Sequence, residues 1–268
     1  MAFRDTKSKI IIKTPEQIEG IRESSILAAK TLKAVEPFIK PGVNTDYLNS
    51  ICAQFIKDNG AISATLGYHG YTKETCISVN DVICHGIPGK LELRDGDIVN
   101  IDVTTIFKGY FGDTSKMFLV GDVSDHAKKL VKVTKECLSI GIQQCKAGTH
   151  LNNIGFYINA HAISHGYSTV YEFCGHGVGL RFHEEPEVCH IADKGTGPIL
   201  EPGMTFTIEP MINAGKARAK IDRKDGWTAR TIDGRLSAQF EHTICITKSD
   251  PFVLTDIDNE FPKPQEIF

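Results

Sequence analysis

The segment DIVNIDVTTIFKGYFGDTSKM, residues 97–117, constrains the fold more than any other part of the sequence. Two strand-like stretches flank the dipeptide Lys108-Gly109, and a two-residue turn there would place Asp102 opposite Ser115. Asp113 would then share the face of Asp102 as its diagonal neighbour, at roughly 7 to 8 Å between backbones. Alternation places the apolar residues on the opposite face, so the side chains of the two aspartates are predicted to point into a polar cleft.

Helical and strand patterns occur in blocks along the rest of the chain. Thr14-Pro15-Glu16-Gln17 combines an N-cap, a proline at the first helical position and a capping-box glutamine, and opens a helix. Because the strands arrive in runs instead of alternating with helices, the pattern indicates an α+β fold with two similar halves, which we interpret as one domain over residues 1–268 with a short extension at 1–13. The predicted helices are 15–35, 46–59, 124–144 and 150–165, and the predicted strands are 75–79, 81–87, 97–107, 115–120, 169–173, 204–212, 227–232 and 238–247.

Composition excludes several classes of protein. The formal charge of −3 over 268 residues gives no overall basic field for nucleic acid. There is no apolar run of membrane-spanning length and no signal sequence, so a cytoplasmic location is expected. The eight cysteines form no C-x-x-C pair and are expected to be reduced thiols, mostly in the core.

Two further predicted strands carry carboxylates on one face. In MTFTIEPM, alternation directs Glu209 to the same side as Thr205 and Thr207, while the apolar residues between them pack. In AQFEHTIC, alternation places Glu241 and Thr243 on one face of the strand and the apolar residues on the other. A lone strand carboxylate is usually only a solvated charge, but four of them predicted in one cleft would raise one another's pKa unless cations balance them.

The stretch FCGHGVGLRFHEEP, residues 173–186, contains His176 and His183 in a run that is broken by Gly175, Gly177 and Gly179. Glycine weakens a helix, and an odd spacing in a strand would put the two imidazoles on opposite faces. We therefore expect a close-turning loop that ends in a short extended piece. Oxygen-rich ligands with a single imidazole suit a pair of Mn, Fe(II), Co or Zn ions.

The sequence also resembles the type I methionine aminopeptidases in nine short strings. In order along the chain they are YHGY, CHGIP, NIDVT, GDTSKM, FCGHGVG, FHEEP, MTFTIEPM, DGW and SAQFEHT. The resemblance implies the pita-bread fold, a pseudo-two-fold repeat of helices over a curved antiparallel sheet. It also implies removal of the initiator methionine from nascent chains and peptides with a small second residue. The implied ligands of two divalent ions are Asp102, Asp113, His176, Glu209 and Glu241.

The resemblance also assigns roles to residues that bind no metal. His183 would stabilise the developing oxyanion, His85 would lie near the substrate amine and leaving group, and Glu209 would shuttle the proton as well as bind metal. The implied substrate pocket consists of Thr65, Tyr68, Tyr71, Cys76, His85, Phe182, His183 and Trp227.

The sequence departs from the family pattern at two positions. Thr65 replaces a common cysteine at the pocket rim, which we expect to alter tolerance of the second substrate residue. Thr72 replaces a proline, which is expected to loosen a pocket loop. The short interval between Glu209 and Glu241 leaves no room for the insertion of type II enzymes, and the start of the chain indicates a bacterial or organellar form without a zinc-binding extension.

Two alternatives to a methionine aminopeptidase remain open: a related metallohydrolase acting on X-Pro bonds, and a non-catalytic binding protein of the same fold. The first usually carries an additional N-terminal domain, and the second loses metal ligands that are present here. The sequence contains neither a G-x-S-x-G motif, an H-E-x-x-H motif nor a phosphate loop. A monomer with transient ribosome contact, no membrane contact and no specific nucleic-acid partner is expected.

Overall fold

The computed structural model describes residues 9–265, so residues 1–8 of the expected N-terminal extension lie outside the described residues. The α-helices in this range are α1 (Pro15–Val35), α2 (Thr45–Asp58), α3 (Asp125–Gln143) and α4 (Asn153–Ser164). The strands are β1 (Ile62–Ser63), β2 (Cys76–Val79), β3 (Val82–Cys84), β4 (Ile98–Phe107), β5 (Tyr110–Leu119), β6 (Ser168–Thr169), β7 (Gly175–Gly177), β8 (Glu184–Val188), β9 (Thr205–Ile208), β10 (Met211–Asn213), β11 (Ala219–Ile221), β12 (Ala229–Thr231), β13 (Ser237–Gln239), β14 (His242–Cys245) and β15 (Phe252–Val253).

The helix starts depend on side-chain caps. At α1 the predicted capping box is present: the Thr14 hydroxyl accepts a hydrogen bond from the Gln17 N–H at 3.3 Å, and the Gln17 side chain accepts one from the Thr14 N–H at 2.9 Å. At α3 the Ser124 hydroxyl accepts from the Ala127 N–H at 3.3 Å. These caps satisfy N–H groups that have no partner within the helix, and the predictions for both helices are confirmed.

Helix α4 begins three residues later than predicted, at Asn153 instead of His150. The backbone just before it is engaged elsewhere: the Leu151 N–H donates to the Pro198 carbonyl at 2.9 Å, and the Asn152 N–H donates to the Thr196 carbonyl at 3.3 Å. The Asn153 N–H donates to the His150 carbonyl and the Ile154 N–H to the Leu151 carbonyl, each at 3.1 Å, so residues 150–152 form a turn with bonds over three residues, and the α-helical pattern begins after it.

The hairpin of β4 and β5 has the predicted register, with Asp102 opposite Ser115 and Thr104 opposite Asp113. Lys108 and Gly109 have φ values of 51° and 84°, the positive values that a type I′ turn requires at both central positions. The turn residues therefore set the pairing of all ten residues in each strand.

Each half of the fold places two helices on antiparallel strands. In the first half, α1 and α2 cover the apolar face of the β4–β5 hairpin, including Val99, Ile101 and Val103. In the second half, α3 and α4 cover strands of a five-stranded sheet in the order β15-β14-β9-β7-β8 and strand β13 of a three-stranded sheet. Every strand pairing in the described residues is antiparallel, which confirms the predicted α+β class.

Several predicted strands are shorter in the structure. The stretch 204–212 divides into β9 and β10 at Glu209-Pro210, where proline lacks the N–H that a ladder needs. The stretch 238–247 divides at Glu241, which pairs with Ser115 of the other half. The prediction for 169–173 was wrong beyond Thr169, because the Glu172 carboxylate turns to accept from the Ala219 N–H and from Arg218.

The cysteines follow the prediction. All eight lie within the described residues, are free and form no disulfide; six are buried, Cys174 is half-buried and Cys189 is exposed. Within residues 9–265, none of the helices has both the length and the apolar character needed to cross a bilayer.

Candidate metal centre and substrate cavity

A cavity of about 860 Å³ opens between the two halves and contains the predicted site. All thirteen residues that the sequence analysis selected line it, although they come from loops and strands far apart in the chain. They are Thr65, Tyr68, Tyr71, Cys76, His85, Asp102, Asp113, His176, Phe182, His183, Glu209, Trp227 and Glu241.

Hydroxyl and amide groups hold the carboxylates at the floor of this cavity. The Thr104 hydroxyl donates to Asp113 Oδ1 at 2.7 Å. Glu209 accepts from the Thr207 hydroxyl at 2.8 Å and from the Gln239 side-chain amide at 3.2 Å. The carboxylates of Asp113 and Glu209 are therefore oriented by neighbouring side chains before any ligand binds, as expected of a preorganised site.

The four carboxylates disfavour one another's charge. Burial raises the pKa of Asp102, and the neighbouring Asp113 and Glu209 raise it further. Burial likewise raises the pKa of Asp113 to about 7 and that of Glu209 to about 8. Burial, followed by the charges of Asp113 and Glu209, raises the pKa of Glu241. A cluster of this kind becomes fully ionised at neutral pH only when positive charge is present.

His176 presents an unprotonated nitrogen to this cluster. Its Nδ1 lies 2.9 Å from the Gly177 carbonyl, which only accepts, so Nδ1 carries the proton and Nε2 is free. Nε2 lies 3.7 Å from Asp113 Oδ2 and 3.7 Å from Glu209 Oε1. Burial lowers the pKa of His176 to about 4, which keeps the ring neutral. A backbone partner that fixes the tautomer is typical of metal-binding histidines.

The expectation of a loop around His176 was wrong in part, because residues 175–177 form strand β7 between β8 and β9. The glycines are what allow this close packing. A Cβ atom at Gly175 would lie 2.4 Å from the Thr207 carbonyl oxygen, and one at Gly177 would lie 2.3 Å from that of Glu185. The extended piece after the loop is present as β8.

The ring of His183 packs against the ring of His176, with 4.0 Å between the ring centroids. It stacks on Tyr68 at 5.1 Å and contacts Phe182 at 4.3 Å. Burial first, then the neighbouring His176, lowers the pKa of His183 to about 3. The ring is thus neutral and able to donate one hydrogen bond into the cavity.

The aromatic part of the cavity is built around His85. Trp227 and Phe173 contact its ring edge to face, at centroid distances of 6.0 and 5.5 Å. Tyr71 packs on Trp227 at 5.2 Å and donates from its hydroxyl to the Gly86 carbonyl at 2.9 Å. The rings of this wall are therefore packed against one another and tied to the backbone.

Thr65 is 7 % exposed, and its hydroxyl is engaged in the protein. It donates to the Glu74 carbonyl at 2.5 Å and lies 2.8 Å from the Ser63 hydroxyl. The Thr65 hydroxyl is therefore held by protein groups where this residue lines the cavity.

Residues that the sequence did not predict also support the site. His190 is buried, and its Nε2 accepts a hydrogen bond from the Glu209 N–H at 3.2 Å. Thr104 and Gln239 hold carboxylates, and Phe173 holds His85. No sequence signal identifies His190, because its partner is a backbone group on a distant strand; Thr104, two residues after Asp102, could have been found by alternation.

The donor set fits divalent cations. Ligand atoms of Asp113, His176 and Glu241 lie within 4.8 Å of one another, and Asp102 and Glu209 line the same cavity. Carboxylate oxygens with one neutral imidazole are ligands that Mn, Fe(II), Co and Zn accept. Bound cations would also remove the mutual repulsion of the four acids.

Comparison with known proteins agrees with this chemistry. The sequence profile described as "Metallopeptidase family M24" matches residues 19–248. A methionine aminopeptidase of Escherichia coli (strain K12) is 51% identical over 248 residues, covering 92% of this chain and 94% of that protein. Methionine aminopeptidase A of Synechocystis sp. is 49% identical over 247 residues, covering 92% of this chain and 97% of that protein.

Solved structures give the same result for the fold. The methionine aminopeptidase from Rickettsia prowazekii superposes with a TM-score of 0.91 at 45% identity, covering 92% of this chain and 100% of that chain. An Xaa-Pro dipeptidase from Bacillus anthracis has a TM-score of 0.75 at 24% identity, covering 98% of this chain and 65% of that chain, which supports the shared fold alone.

Two helix-covered halves that direct four carboxylates and a histidine into one cavity define a metallopeptidase of the pita-bread fold. The chain belongs to metallopeptidase family M24 and, within it, to the methionine aminopeptidases. It is therefore a hydrolase that uses divalent metal, and the predicted family and fold are confirmed.

Proposed function

We propose that this enzyme removes the initiator methionine from nascent chains and peptides whose second residue is small, and that two divalent ions per chain serve the reaction. The ligands are Asp102, Asp113, His176, Glu209 and Glu241. The observation that carries the proposal is the convergence of buried carboxylates on the unprotonated Nε2 of His176. When bound, the ions supply Lewis acidity, which lowers the pKa of water and polarises the peptide carbonyl.

Glu209 moves the proton in this proposal. Burial raises the pKa of Glu209 to about 8 in the metal-free site, and bound cations would lower it, so that the carboxylate is ionised and can accept a proton. Glu209 takes a proton from the attacking water and delivers it to the leaving amine. Thr207 and Gln239 keep its carboxylate in one orientation during both transfers.

Two histidines contact the substrate without holding metal. His183 donates a hydrogen bond to the peptide oxygen as negative charge develops on it. His85, neutral because burial lowers its pKa to about 4, lies beside the substrate amine and the leaving group. The rings of Phe173 and Trp227 hold His85 in place, so its contact with substrate requires little reorganisation.

The cavity wall supports methionine as the first residue. Tyr71, Cys76 and Trp227 offer aromatic and sulfur contacts, which suit a thioether side chain. Thr65, fixed by its bonds to Glu74 and Ser63, cannot retreat to accept a large second side chain. Tyr68, Phe182 and His183 complete the proposed substrate contacts.

The test is a peptide assay with metal-depleted protein. Methionine release from Met-Ala-Ser and Met-Leu-Ser peptides is measured while Mn, Fe(II), Co or Zn is titrated, with a Leu-Pro dipeptide as control. We expect cleavage of Met-Ala-Ser alone, restored by metal to a maximum at two ions per chain. Cleavage of the Leu-Pro dipeptide in preference to Met-Ala-Ser would overturn the proposed substrate, and full activity with one ion would overturn the dinuclear centre.

The proposed setting of the enzyme is the cytoplasm, where it acts as a monomer that contacts the ribosome transiently. Nascent chains emerging there supply its substrate. Sedimentation with ribosomes that carry nascent chains, compared with free ribosomal subunits, tests the contact.

We also propose that the two halves unfold as one domain. Thr114 Oγ1 donates to the Glu241 carbonyl at 2.7 Å, and the Asn100 side-chain amide donates to the Gln239 carbonyl at 2.8 Å, so buried bonds cross between the halves. A single calorimetric transition with equal calorimetric and van't Hoff enthalpies is expected. Two separate transitions would contradict it.

A further inference from the structure

Outside the catalytic cavity, three ligand-type side chains meet between α3 and α4. His161 and His165 are one turn apart at the end of α4, and Glu136 faces them from α3. Their ligand atoms lie within 4.8 Å of one another, and none of the three lines the catalytic cavity. All three side chains are partly exposed, so solvent ions can reach them.

The histidine nitrogens are arranged by their other bonds. His165 Nδ1 lies 3.0 Å from the carbonyl oxygen of His161, one turn earlier, and a carbonyl only accepts. The Ser164 hydroxyl, 3.1 Å from the same Nδ1, donates its own proton to the His161 carbonyl at 2.7 Å, so Nδ1 of His165 carries a proton and its Nε2 keeps a free lone pair. His161 Nε2 lies 2.9 Å from Glu136 Oε2. A backbone carbonyl that fixes the ring in this way is the support that metal-binding histidines usually have.

We propose that Glu136, His161 and His165 form a second metal site, which takes one divalent transition cation of the zinc type. Ligand atoms about 2.0 to 2.2 Å from a tetrahedral ion are about 3.3 Å from one another. The separation of His161 Nε2 from Glu136 Oε2 is already close to this value. Two histidines four residues apart on one helix face, completed by a carboxylate, form a borderline ligand set that favours zinc over magnesium or calcium.

The cation takes the place of the hydrogen bond between His161 Nε2 and Glu136. A ring that coordinates through Nε2 carries its proton on Nδ1, so a proton on Nε2 passes to solvent and Nδ1 takes one from solvent. Water fills the remaining coordination position, because the site is open on its outer side. The bound ion would connect α3 to α4 and stabilise the second half by mass action.

Zinc binding to variants of the full-length protein tests the site. Equilibrium dialysis against buffered free Zn²⁺ is compared for wild type, His165→Gln, Glu136→Gln and the control His150→Gln, a half-buried histidine whose Nδ1 lies 3.0 Å from the Gly197 carbonyl. We expect one zinc fewer per chain in the first two variants, or affinity at that site at least about tenfold weaker, and no loss in the control. Methionine release should remain at the wild-type level in all variants, which separates this site from the catalytic one.

Two further measurements keep the test decisive. Lys132, 3.8 Å from Glu136 and 78 % exposed, competes for the carboxylate, so Lys132→Gln should tighten zinc binding roughly two- to fivefold. On the wild-type chain, Zn²⁺ should protect His161 and His165, but not His150, from modification by diethyl pyrocarbonate. Equal zinc content in all variants, or equal modification of the three histidines with and without Zn²⁺, would overturn the site and leave a hydrogen bond between two helices.

Discussion

Ser115 pairs with Glu241 across an isolated antiparallel bridge, in which the Glu241 N–H donates to the Ser115 carbonyl at 3.1 Å. Ser115 also lies opposite Asp102 in the β4–β5 hairpin. One residue therefore connects an aspartate of the first half with a glutamate of the second. The acids of the two halves meet because the two sheets join at this bridge.

Asp113→Asn should stabilise the metal-free protein while it abolishes activity. The pKa of Asp113 is raised to about 7 in the fold, against about 4 when unfolded, so between these values the folded chain keeps a proton that the unfolded chain releases. Stability is therefore lost as pH rises through this range, and asparagine removes the loss. In urea unfolding with a chelator, we expect a gain of about 1 to 3 kcal/mol at pH 7.5 that disappears near pH 4.

The asparagine retains an oxygen that can accept the hydrogen bond of the Thr104 hydroxyl. The substitution therefore removes the charge and leaves the local packing unchanged. Metal content should fall, and methionine release should decrease by at least about a hundredfold. Unchanged metal content together with wild-type turnover would contradict the role of Asp113 as a ligand.

His190→Gln should reduce the loss of stability in acid. Burial lowers the pKa of His190 to about 3, so between about pH 6.5 and 3 the unfolded chain binds a proton that the folded chain does not. Stability from this group is present above pH about 6.5 and is lost as pH falls. We expect the difference in unfolding free energy between pH 6.5 and 4.5 to shrink by about 1 to 3 kcal/mol in the variant.

Glutamine places an acceptor oxygen close to the position of Nε2, so the Glu209 N–H keeps a partner. Urea melts at several pH values make the measurement. An identical pH dependence in wild type and variant would show that His190 is protonated in both states alike.

Thr65→Cys should change specificity more than rate. The cysteine lacks the γ-methyl group of threonine, and its thiol is a weaker donor than the hydroxyl that bonds Thr65 to the Glu74 carbonyl, so the rim becomes easier to displace. We expect the ratio of kcat/KM for Met-Thr and Met-Ala peptides to rise by about two- to tenfold, while the Met-Ala rate changes less. Steady-state assays on both peptides measure it, with Thr65→Ser as the control that keeps the hydroxyl. A ratio equal to that of wild type would make Thr65 a bystander.

Local signals in the sequence were sufficient for some of this architecture. The Lys108-Gly109 turn and strand alternation predicted the face shared by Asp102 and Asp113, because both depend only on neighbours along the chain. Strand β7 could not be predicted in this way. Gly175 and Gly177 are weak strand formers, and they form a strand only because β9 and β8 approach more closely than any side chain would allow.

The supporting residues show the same limit. His190 acts through the backbone N–H of Glu209, a bond that depends on the packing of two distant segments. The break after Thr169 likewise depends on Glu172 reaching Arg218 and Ala219 across the fold. The proposed ligands could be chosen from sequence, whereas the groups that orient their side chains required the three-dimensional structure.

His176→Ala and His183→Ala should fail in different ways although their rings are 4.0 Å apart. His176 directs an unprotonated Nε2 at Asp113 and Glu209, so its loss should weaken metal binding, and excess metal should recover part of the activity. His183 is proposed to act on charge that develops only in the transition state, a contribution on the order of a hundredfold or more in turnover. Its alanine variant should keep its metal content and remain slow at every metal concentration.

The measurement is bound metal and turnover for both variants across one metal titration, with His69→Ala as a control in the same cavity wall. Binding of free methionine should be similar in wild type and His183→Ala, because the ground state does not use the proposed hydrogen bond. If excess metal restores His183→Ala as fully as His176→Ala, then His183 acts on the metal ions and not on the oxyanion. The two rings are in contact, so position alone does not distinguish metal binding by His176 from hydrogen bonding by His183. The direction of the His176 Nε2 and its fixed tautomer do, and the titration tests this assignment.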